Sequence, residues 1–254
     1  VAAIWAGLLG KPIFRELVTM QSRPDDPPGL RRLVRWALNR RGTIIAISPL
    51  LAERARQLGY RRVWCRPNPV DELRFTIARD LRDVLRRRYT PFRPDDIVLA
   101  DLAKYSKMKN KELLLGMMAL LPPRYKLVMV GPLEDADQPL TEDLAKLIRT
   151  LGIHDRVILH RGFVDHPEHY LQLADVFLFP SLSDGLGTPV LEAICCGIPV
   201  VANRIAGVTD WWIRDQVNGV LCEATARDFA RGVERALEIP HATLDRAAQE
   251  LISQ

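Results

Sequence analysis

From residue 97 onward, short unbroken apolar runs alternate with longer segments whose apolar positions recur at helical spacing. The runs at 97–103, 126–130, 157–160, 175–180, 198–202 and 219–222 predict strands. Between them, helices are predicted at 111–121, 140–151 and 168–174, one opened by Thr188 and Pro189, and a last one at 226–237. The punctuation agrees: Pro122-Pro123 and Gly152 stop helices, and Gly197 takes the position just past a helix end. Asp165-His166-Pro167-Glu168 fits a capping box. Strand and helix in strict alternation predict an α/β fold, a doubly wound parallel sheet covered on both faces.

Before residue 97 the same pattern is partial. Strands are predicted at 12–18, 43–47 and 62–65, with helices at 30–39 and 49–58. Three strands alone leave apolar edges unpaired, so this stretch is expected to be the end of a larger domain. Val1-Ala2-Ala3-Ile4-Trp5-Ala6 looks like the inside of a helix, and residues 251–254 still follow a helical pattern. The chain is therefore expected to be a fragment, cut at both ends. Turn residues at Asn68-Pro69-Val70-Asp71 place a boundary, giving a partial domain over residues 1–70 and a second over 71–254.

With 48% hydrophobic and 26% charged residues in 254, the composition is that of a soluble globular protein with room for one large or two small domains. The net charge of +5 is mild, but arginine is clustered at Arg31-Arg32, Arg35, Arg40-Arg41 and Arg86-Arg87-Arg88. Solvated helix faces account for the clusters; a second expectation is peripheral attraction to an anionic membrane surface. Nucleic acid is disfavoured, because no basic motif interleaved with aromatics appears. Cys65, Cys195, Cys196 and Cys222 lack metal spacing and read as reduced thiols, which favours a cytoplasmic setting. His166 and His169 lie in a polar turn with no third partner and are expected to be exposed. The apolar stretch at residues 1–9 is too short to cross a membrane and lacks the basic start of a signal peptide.

The most informative stretch is Ser183-Asp184-Gly185-Leu186-Gly187-Thr188-Pro189-Val190-Leu191-Glu192-Ala193. Thr188 suits a helix cap and Pro189 the first helical position. Gly185 and Gly187 let the backbone approach a ligand, and the N–H groups of Gly187, Thr188 and Val190 at a helix start favour an anion. Glu192 leans back toward that anion site, where only donors such as sugar or ribose hydroxyls can sit between carboxylate and phosphate. Glycine-rich strand-to-helix turns are common, so this one gains weight from the buried-type strand before it and the Gly197 stop and new strand after it. The stretch reads as a nucleotide-sugar site.

Several blocks in register resemble the family 4 retaining glycosyltransferases, which have two Rossmann-like domains in the GT-B arrangement. They are Asn68-Pro69-Val70-Asp71 with Phe75, Lys104 with Lys109-Asn110, Gly162-Phe163-Val164, Ala174-Asp175-Val176, residues 180–202, and Val217-Asn218-Gly219-Val220-Leu221. The resemblance implies that residues 71–254 bind the nucleotide-sugar donor and that 1–70 end the acceptor-side domain. Lys104 and Lys109 would bind the donor diphosphate and stabilise it as leaving group. Gly185, Leu186, Gly187 and Thr188 would cradle the same phosphates. Asp184 would hold the transferred sugar, Glu192 the ribose, and the backbone at Val164 the base. It also implies a UDP- or GDP-sugar donor, no cofactor or metal, an acceptor glycan or lipid-linked sugar, and a cytoplasmic place at the inner membrane face. Asp184 stands where the family has Glu, Lys104 where it has Arg, and Ala103 where it has Gly; residues 19–26 have no His. Two other readings stay open: a non-catalytic nucleotide-sugar binder and a nucleotide-sugar epimerase of the same fold. A glycosidase using Asp184 and Glu192 fits poorly, since one carboxyl is committed to the nucleotide.

Overall fold

The structure is a computed structural model that describes residues 12–17, 28–133 and 138–253. The helix expected at the chain start and the histidine-free 19–26 stretch lie outside the described residues. Contacts divide the chain into two units. One holds the chain up to Pro69 with Asp184–Gly187 and Ala206–Trp211; the other holds Val70–Ser183, Thr188–Ile205 and the chain from Trp212 onward.

In the first unit, β1 (Ile13–Leu17), β2 (Gly42–Ala46) and β3 (Val63–Cys65) form a parallel sheet in that order. Ile13 pairs with Gly42, and Ile44 with Val63. The connecting helices are α1 (Pro28–Arg41) and α2 (Pro49–Gln57). Ser48 starts α2 by accepting from the Leu51 N–H at 3.3 Å, with Pro49 at a position where no N–H is needed. Leu38, Ile44 and Ala55 form a small core, while Phe14 on β1 and Trp64 on β3 stay exposed.

The second unit carries α3 (Arg82–Tyr89), β4 (Ile97–Leu102), α4 (Lys111–Leu120), β5 (Tyr125–Gly131), α5 (Gln138–Thr150) and β6 (Val157–Arg161). It continues with α6 (Pro167–Gln172), β7 (Val176–Phe179), α7 (Thr188–Cys195), β8 (Val200–Asn203), β9 (Gly219–Cys222), α9 (Ala226–Leu237) and α10 (His241–Ile252); α8 (Thr209–Trp212), before β9, falls in the first unit except for Trp212. The strands are parallel in the order β6-β5-β4-β7-β8-β9, so the winding reverses between β4 and β7. Alternate residues of each strand face opposite cores. Val98, Ala100, Phe177 and Phe179 join one with Val190 and Ile194 of α7; Leu99, Val176 and Leu178 join the other with Leu114 and Leu115 of α4 and Phe229 of α9. Each fully buried side chain of this size contributes about 1.5–3 kcal/mol. That double burial is why the strands read as continuous apolar runs.

Some expectations change here. Arg86 is buried rather than part of a solvated face. It donates to the Leu173 carbonyl at 2.8 Å and pairs with Asp175 at 2.6 Å, while Asp175 also accepts from the Val98 N–H at 2.8 Å. The Asp175 of the Ala174-Asp175-Val176 block thus ties α3 and β4 to the start of β7. The capping box at Asp165–Glu168 does not form: His166 holds the cap position of α6 with no side-chain capping bond, because the Glu168 carboxylate is taken by Arg74 at 2.6 Å and His166 at 2.8 Å. α3 is a helix the sequence pattern does not predict, and α10 begins at His241, well before the helical pattern expected at 251–254. Gly197 does close α7, at φ 67°, with the Gly197 N–H bonded to Ile194 and the Ile198 N–H to Ala193.

Candidate functional site

Ligands of doubly wound sheets bind beyond the carboxyl ends of the strands where the winding reverses, here β4 and β7. The segment from Ala103 to Asn110 leaves β4 at that point. It crosses the end of β5 closely: the Ala103 N–H bonds to Val130 and the Tyr105 N–H to Pro132, each at 3.0 Å. A Cβ at position 131 would run into the Ala103 carbonyl, so Gly131 is required for the crossing. The segment ends in a short turn, Lys107–Lys109, and in Asn110 at φ 49° and ψ 43°, a left-handed conformation that asparagine tolerates better than most residues. Lys104 is exposed; Lys109 is half-buried, with its ammonium 5.4 Å from the centre of the buried Phe179 ring.

The stretch after β7 is held through its main chain by this segment and by β8. The Leu182 N–H donates to Met108 at 2.9 Å, the Asn110 side chain to Pro180 at 3.4 Å, and the Asn203 side chain to Ser181 at 3.0 Å. The turn that carries Lys109 and the approach to α7 are therefore brought together. Thr188 is the first residue of α7 and Glu192 lies one turn on, half-buried. Burial pushes the Glu192 carboxyl up to about 7, against the pull of Arg74 and with a further push from Glu168. Val164 sits beyond β6, on the far side of β5 from β4, and packs partly buried against the core; its neighbour Phe163 is 89% exposed.

Residues 184–187 differ from the expectation in two ways. Asp184 Oδ1 accepts from the Leu186 N–H at 3.2 Å and the Gly187 N–H at 3.0 Å. Of the three N–H groups expected to face an anion, that of Gly187 is thus bonded within its own loop. Gly187 has a φ of 74°, which requires glycine, whereas Gly185 is outside the left-handed region. Leu186 is buried.

His166 and His169 do have a third partner. Glu168 is buried between them, with His166 Nδ1 at 2.8 Å and His169 Nε2 at 3.9 Å from one carboxylate oxygen, and Tyr89 bonds the other side of His169 at 2.9 Å. His166 is exposed, but His169 is only partly so. Burial raises the Glu168 carboxyl, but its own N–H, His166 and Arg74 outweigh that and hold it low. The two imidazoles stack 4.7 Å apart with 20° between their planes, so their in-plane lone pairs run side by side instead of meeting at a metal.

The sequence reasoning missed Asp101 and Lys111. Asp101, on β4, is ion-paired to Lys111, the first residue of α4, and both side chains are within 1% of full burial. Lys111 Nζ lies 4.5 Å from the centre of the buried Tyr105 ring. A lone carboxylate inside the apolar run at 97–103 was the available signal.

Residues 85–251 match the family described as glycosyl transferases group 1, and the chain belongs to that family. Over 198 residues, 76% of this chain and 53% of the relative, it is 31% identical to the lipopolysaccharide core biosynthesis glycosyltransferase LpsE of Rhizobium meliloti. It is also 31% identical over 159 residues, 62% of this chain and 36% of the relative, to a D-inositol 3-phosphate glycosyltransferase of a Mycobacterium species. The chain spans about half, or less, of the length of these curated relatives. Among solved structures, Anabaena HepE in complex with UDP aligns with a TM-score of 0.88 and 20% identity, over 99% of this chain and 70% of that one. A sucrose-phosphate synthase from Thermosynechococcus elongatus aligns with a TM-score of 0.78 and 20% identity over 98% and 67%. The fold is accordingly the GT-B glycosyltransferase fold.

Proposed function

We propose that the chain is the donor-binding portion, residues 71–254, and the end of the acceptor-side domain, residues 1–70, of a retaining glycosyltransferase. It transfers a sugar from a nucleoside-diphosphate sugar to an acceptor hydroxyl. The observation that carries the reading is the convergence of the Lys104–Lys109 segment with the approach to α7 at the winding reversal. Lys104 and Lys109 neutralise the diphosphate as the glycosidic bond breaks, and the amino end of α7 at Thr188 adds its dipole. No metal is needed for this charge. Glu192, ionised, accepts from the ribose hydroxyls, the main chain at Val164 meets the base, and Asp184 orients the transferred sugar. The UDP-bound Anabaena neighbour supports UDP among the donor bases, and relatives in lipopolysaccharide core and O-antigen synthesis support a cell-envelope acceptor, glycan or lipid-linked sugar. Cytoplasmic placement at the inner membrane face fits that role, and no described helix is long and apolar enough to cross a membrane.

One observation favours a second reading. Asp184 spends one carboxylate oxygen on its own loop, which suits a domain that binds the donor without transferring the sugar. Thermal stabilisation by UDP-, GDP-, ADP- and dTDP-sugars, beside Lys109→Ala, tests both. Binding to the folded state raises stability with the logarithm of ligand concentration over Kd. A shift with one nucleotide that disappears in Lys109→Ala is expected, and product release from that sugar nucleotide then separates transferase from binder. No shift with any of them, from a folded sample, sinks the donor reading.

A further inference from the structure

We propose that Asp101, Lys111 and Tyr105 form a buried clip that positions the Ala103–Asn110 segment, and through it Lys104 and Lys109, for the diphosphate; they are positioning residues and touch no ligand. The inference rests on the donor reading above. Asp101 is the second-last residue of β4 and Lys111 the first of α4, so their ion pair is a chord across the whole segment. Tyr105 lies inside that chord, its ring under the Lys111 ammonium at 4.5 Å. Its hydroxyl donates to the Met129 carbonyl at 3.0 Å and the His160 carbonyl at 3.3 Å, which ties the segment to β5 and β6.

Stability is a weak reason for such a pair. Removing two charges from water costs about what their attraction returns, and apolar residues of the same size commonly replace buried pairs without loss. The pair is also incompletely satisfied, since Asp101 Oδ1 has no hydrogen-bond partner. What an ion pair adds is one geometry, because an ammonium must find its carboxylate whereas methyl groups slide. Asp101 is also close enough to feel the Lys109 charge.

The test compares the chain with its Asp101→Leu/Lys111→Met variant in three measurements: thermal stability, hydrogen exchange of the segment's amides, and calorimetric binding of UDP and of uridine. The expected result is an unchanged or higher Tm, amides from Lys104 to Asn110 that exchange faster while β4 and β5 keep their protection, and UDP binding weakened about tenfold with uridine unaffected. Uridine lacks the phosphates, so a general loss of structure would weaken both. Unchanged UDP binding with unchanged exchange overturns the proposal, as does an equal loss for UDP and uridine. If the parent chain itself fails to bind UDP, the UDP-donor reading fails. The clip then stands on selective loosening of the segment and falls if exchange is unchanged or rises everywhere. If the double variant does not fold, Tyr105→Phe removes only the two hydroxyl bonds and must shift UDP binding and segment exchange in the same directions; no shift overturns the proposal.

Discussion

Two neighbouring strands, β4 and β7, each lead at their carboxyl ends into a stretch that the proposed function assigns to the donor, and the two are held by different means. The Ala103–Asn110 segment is anchored by fully buried side chains, Asp101 and Lys111 at its two ends and Tyr105 within it. Residues 184–187 are held from within, by one short carboxylate accepting two main-chain N–H groups and by a left-handed glycine. An anchor in the core resists solvent and salt. A local bond depends on the length of one side chain.

The comparison breaks most visibly at Lys111. Lys111→Met leaves the Asp101 carboxylate buried and unmatched, and a loss of about 3–5 kcal/mol in urea denaturation is expected. A smaller effect is expected at Glu192, whose ordinary value near 4.5 is raised to about 7 by burial. An acid held that way binds its proton more tightly when folded, so its contribution is full below about pH 4.5 and lost as pH rises through about 7. Glu192→Gln should therefore raise Tm by a few degrees at about pH 8 and leave it nearly unchanged at about pH 5. In the parent chain, nucleotide affinity should climb across the same interval as the carboxylate becomes able to accept from ribose; in the Gln variant it should stay flat. The smallest effect belongs to the locally held loop. Asp184→Ala should cost about 1 kcal/mol in the same urea titration, since water can replace much of what the carboxylate supplied.

Much of the second unit was legible because its strands are buried on both faces and its helices end at glycine or proline. The places of Lys104, Lys109, Thr188 and Glu192 in the fold were legible for the same reason, as each lies just past a recognisable strand or in the first turns of a helix. α3 was not, because its arginine run reads as a solvated surface unless one knows that Arg86 finds Asp175, 89 residues later. The Asp101–Lys111 pair, ten residues apart, was hidden because only the fold of a strand back onto its helix makes the two meet. Glu168 was hidden by a local motif: it fits a capping box until Arg74 arrives from 94 residues away.

The sheet order also has a consequence in time. β4 pairs with β5, the next strand in the chain, and with β7, where Asp175 takes the Val98 N–H across 77 residues. The strands β4 to β6 and β7 to β9 can each assemble from near neighbours. Joining them closes the longest separation between paired strands of this sheet, the kind of step that slows folding. Asp175 stands at that seam, with Arg82 and Arg86 on it from α3. The carboxylate that looks like one more structural ion pair bridges the seam between the two halves of the sheet.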